Sequence, residues 1–99
     1  MKRDTLTYSV VMPDGERRTA TVRGQTAKAL RTLVTAGPNG ATALECGAWA
    51  FRFAAYCHVL RRRHGLTIET RREEHPGGWH GRHVLRTPII FEPSESEVA

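Results

Sequence analysis

Apolar and polar residues alternate at the start of the chain and then switch to helical spacing. Leu6, Tyr8 and Val10 alternate with Thr7 and Ser9, the period of a strand with one buried face. Pro13-Asp14-Gly15 follows, a turn in which proline presets φ and glycine takes the permissive position. Arg17 to Val22 reads as the return strand. Residues 5–23 are therefore expected to form a hairpin with Arg17, Arg18 and Arg23 on its solvent side. Gly24 breaks it, and Thr26 is expected to cap a helix that runs to about Ala36. Ala27, Leu30, Leu33 and Val34 form the inward stripe of that helix, and Gly37-Pro38-Asn39-Gly40 stops it.

Thr42-Ala43-Leu44-Glu45 matches the capping box, in which the threonine oxygen and the glutamate carboxylate each satisfy an orphan amide of the helix start. It opens a short second helix, which ends where Gly47 lets the chain turn. A third helix is expected from near Trp49 to Gly65. Phe53, Cys57 and Leu60, with Ala50 and Ala54, face inward, while Arg52, Tyr56, Val59 and Arg63 fall on the opposite stripe. Arg61, Arg62, Arg63 and His64 fill the last turn, where cations favour the helix dipole. Leu66 to Arg72 alternates again as a strand. His75 to Gly81 is expected to be a loop, and Val84, Thr87, Ile89 and Phe91 a returning arm interrupted at Pro88. Residues 92–99 are polar and acidic and are expected to be a disordered tail.

Ninety-nine residues suit one small domain, here expected over residues 1–91 as a hairpin (5–23), three helices (26–65) and a second hairpin (66–91). Lys and Arg number 15 against 10 Asp and Glu. Three of the acids, Glu92, Glu95 and Glu97, sit in the last eight residues, which hold no Lys or Arg. The rest of the chain is thus the more strongly basic and attracts polyanions. No apolar run approaches the roughly 20 residues of a membrane span. Met1-Lys2-Arg3-Asp4 does not lead into a secretory h-region. A cytoplasmic protein with reduced thiols is expected.

Catalysis and cofactors find little support. Cys57 lies on the inward stripe as a small apolar filler, and Ser9, Ser94 and Ser96 lie in strand or tail, so a nucleophile beside a base is missing. Cys57 and His58 are helix neighbours pointing about 100° apart, and no Cys-x-x-Cys or His-Glu-x-x-His spacing occurs. Gly77-Gly78 lies between strands rather than before a helix, so no phosphate cradle is formed. No enzyme, metal or cofactor is expected.

The order helix, turn, helix, hairpin, with basic residues on the hairpin arms, is an α+β layout. At Gly37-Pro38-x-Gly40-x-Thr42-Ala43-Leu44-Glu45-Cys46, Leu60-Arg61-x-x-x-Gly65-Leu66-x-Ile68-Glu69-Thr70 and Val84-Leu85-Arg86, the chain resembles small bacterial winged helix-turn-helix proteins of alphaproteobacterial and prophage-related type. The N-terminal Met12-Pro13-Asp14-Gly15 also fits. The resemblance implies three helices with an N-terminal β-hairpin and a C-terminal β-hairpin wing. It also implies DNA binding with the third helix in the major groove, and Arg52, Tyr56, Arg62 and Arg63 nearest the duplex.

The residue chemistry points the same way. Arg52 stands early in the third helix, where base contacts are usual, and arginine can pair bidentately with guanine. Arg61, Arg62 and Arg63 lie towards its far end and are assigned to phosphates. On the wing, Arg71, Arg72, His80 and Arg82, with His83, surround a glycine-rich tip thin enough to follow a backbone or minor groove. Glu73 and Glu74 oppose this, or pair with Arg71, Arg72 or Arg82 across the hairpin. Trp79 is read as folding back onto its own strands. The expected function is that of a DNA-binding protein, a transcriptional regulator whose partner is double-stranded DNA, with homodimerisation left open. The alternative is a phage- or prophage-derived module that docks a protein partner, because the third helix opens with Trp49, Phe51 and Phe53, where a base-reading helix carries polar residues. RNA binding through Tyr56 and Trp79 is a weaker third option.

Overall fold

Thr5–Val11 (β1) and Arg17–Arg23 (β2) form the expected antiparallel hairpin, with Tyr8 opposite Ala20. The computed structural model describes residues 5–92, without the side chains of Ala48 and Trp49. The leading Met1–Asp4 and residues 93–99 of the anticipated tail therefore lie outside the described residues. At the β1–β2 turn the Gly15 amide donates to the Met12 carbonyl, and the Glu16 amide donates to Asp14 Oδ1 at 2.9 Å.

Helix α1 spans Gly24–Ala36. It begins two residues before Thr26, directly on the end of β2, and no side chain caps it. Ala27, Leu30 and Leu33 are fully buried, as the stripe predicts. A 3₁₀ turn at Gly37–Asn39 leads to α2, Ala43–Cys46. Both arms of the capping box are present there. The Glu45 amide donates to Thr42 Oγ1 at 3.2 Å, and the Thr42 amide to Glu45 Oε1 at 3.1 Å.

The third helix differs from expectation at its start. Ala48–Arg52 is a 3₁₀ segment kinked at Ala50, and α3 proper runs Phe53–His64. Phe53, Cys57 and Leu60 are buried against α1, whereas Ala54 is exposed. Gly65 ends the helix in the left-handed conformation (φ 66°), which only glycine adopts cheaply. Its amide and that of Leu66 both close on the Leu60 carbonyl.

Ile68–His75 (β3) and Gly78–Leu85 (β4) form the wing, in register from Ile68 with Leu85 to His75 with Gly78. The expected loop at 75–81 shrinks to the turn Pro76-Gly77. Trp79 and His80 are strand residues, because β4 pairs all along β3. The returning arm is also cut short. It leaves the wing after Leu85, and Ile89–Glu92 (β5) crosses to pair antiparallel with β1, Tyr8 opposite Phe91. Strand order is β2-β1-β5 in one sheet and β3-β4 in the other. Glu92, placed in the tail by composition, is the last residue of β5 and accepts a hydrogen bond from the buried Ser9 hydroxyl at 2.6 Å. The architecture is thus α+β, three helices with an N-terminal hairpin and C-terminal strands.

Candidate nucleic-acid interface

The arginines divide into two groups according to what already holds them. Arg52 ends the 3₁₀ segment, while Arg62 and Arg63 occupy the last turns of α3; all three are exposed. Among the described residues none of the three meets a carboxylate or a hydrogen-bond acceptor. Tyr56 is half-buried beside the core and lies one helical turn beyond Arg52.

Arg61, one position earlier than Arg62, is committed to the fold. Its Nε and one terminal nitrogen donate to the Ile68 carbonyl at 2.9 and 2.8 Å, and the latter also donates to Thr70 Oγ1 at 2.6 Å. Thr70 Oγ1 is in turn 3.0 Å from His83 Nδ1. The chain Arg61–Thr70–His83 fastens the wing to α3 at its buried end. Burial, and after it the Arg61 charge, holds the His83 pKa below the ordinary histidine range. Its ring meets the Phe53 ring edge-on at 5.4 Å.

The wing arginines are paired as well. Arg82 donates from Nε to Glu73 at 2.7 Å, from both terminal nitrogens to Glu45 at 3.1 Å, and to the Asn39 carbonyl at 3.2 Å. It therefore bridges the wing, the capping box of α2 and the turn after α1. These bonds raise the Arg82 pKa. They also hold Glu73 down at about 2, with the His80 bond (2.8 Å) contributing after Arg82. Glu45 is lowered chiefly by Arg82 and next by the Thr42 amide. Arg71 and Arg86 share Glu69, which they hold below the usual carboxylate range, Arg86 the more strongly. Arg72 approaches Glu74 at 3.5 Å and lies over the Trp79 ring, 4.7 Å from its centroid. Pairing of Glu73 with Arg82 across the hairpin was legible in the sequence; Arg82's further reach to Glu45 was not.

An apolar groove of about 630 Å³ was also missed. Leu44 and Phe51 rim it, with Ala54 from α3 and Gly81 and His83 from β4 among its walls. Leu44 is 86% exposed and Phe51 89% exposed. The 3₁₀ start of the third helix turns Phe51 outward, while Ala50 and Phe53 beside it are buried. Cys57 is buried and its thiol is pushed up to about 12 by desolvation, so it is a poor nucleophile. Among the described residues no group of three or more His, Cys, Asp or Glu is arranged to hold a metal ion. No described helix is long and apolar enough to cross a membrane.

A family described as winged helix domain matches residues 19–95 of the chain. No curated protein and no solved structure matches it.

Proposed function

The chain belongs to the winged helix domain family, modules that typically bind DNA rather than catalyse, and from that premise we propose that it is a DNA-binding regulator of transcription. Its α3 lies in the major groove and the wing runs along the backbone. The observation that carries this reading is that Arg52, at the end of the 3₁₀ segment, and Arg62 and Arg63, in the last turns of α3, are exposed and meet no carboxylate among the described residues, while Phe53, Cys57 and Leu60 of α3 are buried. Arg62 and Arg63 hold phosphates, while Arg52 reaches base edges. Arg61 acts as a positioning residue, fixing the angle between α3 and the wing. Arg71, Arg72, His80 and Arg82 keep their carboxylates and flank the backbone as compensated pairs, so the wing shapes the interface more than it charges it. Among the described residues no carboxylate is paired with Arg52, Arg62 or Arg63, and so their charge is left for phosphate.

The test is anisotropy of a labelled duplex against salt, together with selection from random duplexes. Arg62→Gln with Arg63→Gln should weaken all duplexes alike and flatten the salt dependence by about two phosphate contacts. Arg52→Gln should instead relax the selected motif. Binding that does not change with salt would sink the proposal.

A second reading, a protein-docking module, is favoured by the exposed Leu44 and Phe51, since contiguous apolar surface marks partner sites. Phe51→Ser separates the two. Duplex affinity kept within about twofold, with loss of self-association in sedimentation, supports docking. A drop in duplex affinity with sedimentation unchanged supports DNA contact at Phe51.

A further inference from the structure

At the other end of α3 from that groove, a cavity of about 800 Å³ opens between the N-terminal sheet and the corner where α3 turns into β3. This volume lies within the range of small-molecule sites. Val10, Met12, Ala20, Leu66 and Pro88 supply apolar wall. Three arginines, Arg18 from β2, Arg63 from α3 and Arg86 after β4, also line it, and among the described residues no Asp or Glu does. Arg18 and Arg63 have no carboxylate partner among the described residues. Arg86 is held by Glu69, which lies outside the lining. Tyr8, only 1% exposed, also contributes to the lining, its hydroxyl 2.7 Å from His64 Nδ1. The pair offers polar hydrogen-bonding capacity on an otherwise apolar surface, and the second ring nitrogen of His64 has no partner among the described residues.

An apolar hollow with uncompensated guanidinium groups and no acid calls for a ligand with an apolar body and a negative head. A bare phosphate would leave the apolar wall unused, and a neutral hydrocarbon would leave the arginines unused. We propose that this cavity binds a small amphipathic carboxylate, its carboxylate between Arg18 and Arg63 and its apolar body against Val10, Met12 and Leu66. Arginine meets carboxylate in a planar two-bond fork, which gives the site its selectivity for that head group. Arg63 also belongs to the proposed duplex surface, so an occupied cavity competes with DNA for that side chain. That consequence rests on the DNA reading; the binding itself does not.

The test needs no DNA. Benzoate, 2-naphthoate and octanoate are titrated into the full chain, each beside its alcohol of the same skeleton, with inorganic phosphate as a further probe, and amide shifts are followed by NMR. At least one carboxylate should saturate with shifts centred on Met12, Thr19, Gly65 and Thr67. Its alcohol should bind about tenfold more weakly, and Arg18→Gln should cost the carboxylate a similar factor. Arg18 is an exposed strand residue, so this variant should fold, and an unchanged spectrum elsewhere checks that. The proposal is overturned if none of the three carboxylates saturates, if the alcohols bind as well, or if phosphate alone reproduces the shifts. Shifts confined to the Phe51 groove, or affinity unmoved by Arg18→Gln, overturn it equally.

Discussion

Gly40→Ala should be among the most damaging single-methyl changes in this chain. Gly40 follows the 3₁₀ turn with φ 67° and ψ −177°, a region that residues with a Cβ occupy at a cost of about 1–3 kcal/mol. An added Cβ would stand 2.7 Å from the His83 carbonyl oxygen, 2.7 Å from Val84 Cγ2 and 3.1 Å from Arg82 Cγ. The first of these is backbone in β4, and it also accepts from the Ala41 amide at 2.9 Å in a bridge completed by His83 N–H to Ala41 O. Neither atom can yield without opening that bridge or displacing the buried Val84. Overpacking of this kind adds about 1–3 kcal/mol, so the total is about 4 kcal/mol, a large part of the roughly 5–15 kcal/mol that holds a domain folded. At ~5 °C per kcal/mol, the melting temperature should fall on the order of 20 °C. Gly15→Ala is the control. It too has a positive φ (91°), but nothing lies within 4 Å of the added methyl, leaving only backbone strain of about 1–2 kcal/mol. Urea unfolding followed by circular dichroism compares the two, and hydrogen exchange at Ala41 and His83 reports the bridge. If Gly40→Ala unfolds at the same urea concentration as Gly15→Ala, the close approach of this turn to the wing is refuted.

Three further outcomes follow from buried or paired groups. Leu60 is fully buried, and its carbonyl receives two amides at the end of α3, so Leu60→Ala should cost about 2–5 kcal/mol by urea unfolding; a loss below about 1 kcal/mol would contradict the packing. Glu73 is held at about 2 by Arg82 and His80. Because its folded pKa lies below its unfolded one, its stabilising contribution is complete above the ordinary carboxylate range and disappears as pH falls through about 2. The Glu73 carboxyl carbon should titrate there by NMR, and a midpoint of 4 or more would exclude the pairing. Cys57, with its thiol pushed up to about 12, should resist a disulfide reagent at pH 8 far longer than the half-buried Cys46; equal rates in the folded state would mean that Cys57 is not shielded.

What the sequence made legible was local. Alternation through Leu6, Tyr8 and Val10 marked β1, Thr42 and Glu45 marked the capping box, and Phe53, Cys57 and Leu60 marked the inner face of α3, because each signal spans only a few residues. The pairing of β5 with β1 joins residues some eighty positions apart, and nothing periodic near Ile89 names Tyr8's strand as its partner. Composition misled at Gly78-Trp79-His80-Gly81. Two glycines suggested a loop, yet a turn of only Pro76-Gly77 keeps both arms paired. Composition also overrated the wing as a source of free charge, since Arg82 reaches Glu45 across 37 residues and no spacing rule reveals that. The outward Phe51 was partly legible, since it falls off the inward stripe of Ala50, Phe53, Cys57 and Leu60, but helical spacing does not show that Leu44 joins it along one groove.

Charge compensation gives the DNA reading its sharpest quantitative consequence. Salt dependence counts the phosphates that lose counterions, at about 0.9 per contact in a plot of log affinity against log salt. Should only Arg52, Arg62 and Arg63 act, the slope is about −2.7, by the same rule. If Arg71, Arg72 and Arg82 also grip phosphate, it approaches about −5.4, but each must then loosen from Glu69, Glu74, or Glu45 and Glu73. An arginine that remains bonded to its carboxylate brings little net charge to the duplex. Affinity measured over a fourfold range of salt separates the two slopes, and Glu74→Gln resolves them further, because Glu74 is the carboxylate beside Arg72 whereas Arg82 is held by both Glu45 and Glu73. With the wing pairs intact in the complex, removing the Glu74 carboxylate frees Arg72 and steepens the slope by about one contact. Wing pairs that open anyway would leave the slope of this variant unchanged. A parent slope near −5 with no response to Glu74→Gln would therefore refute the division of labour between helix and wing.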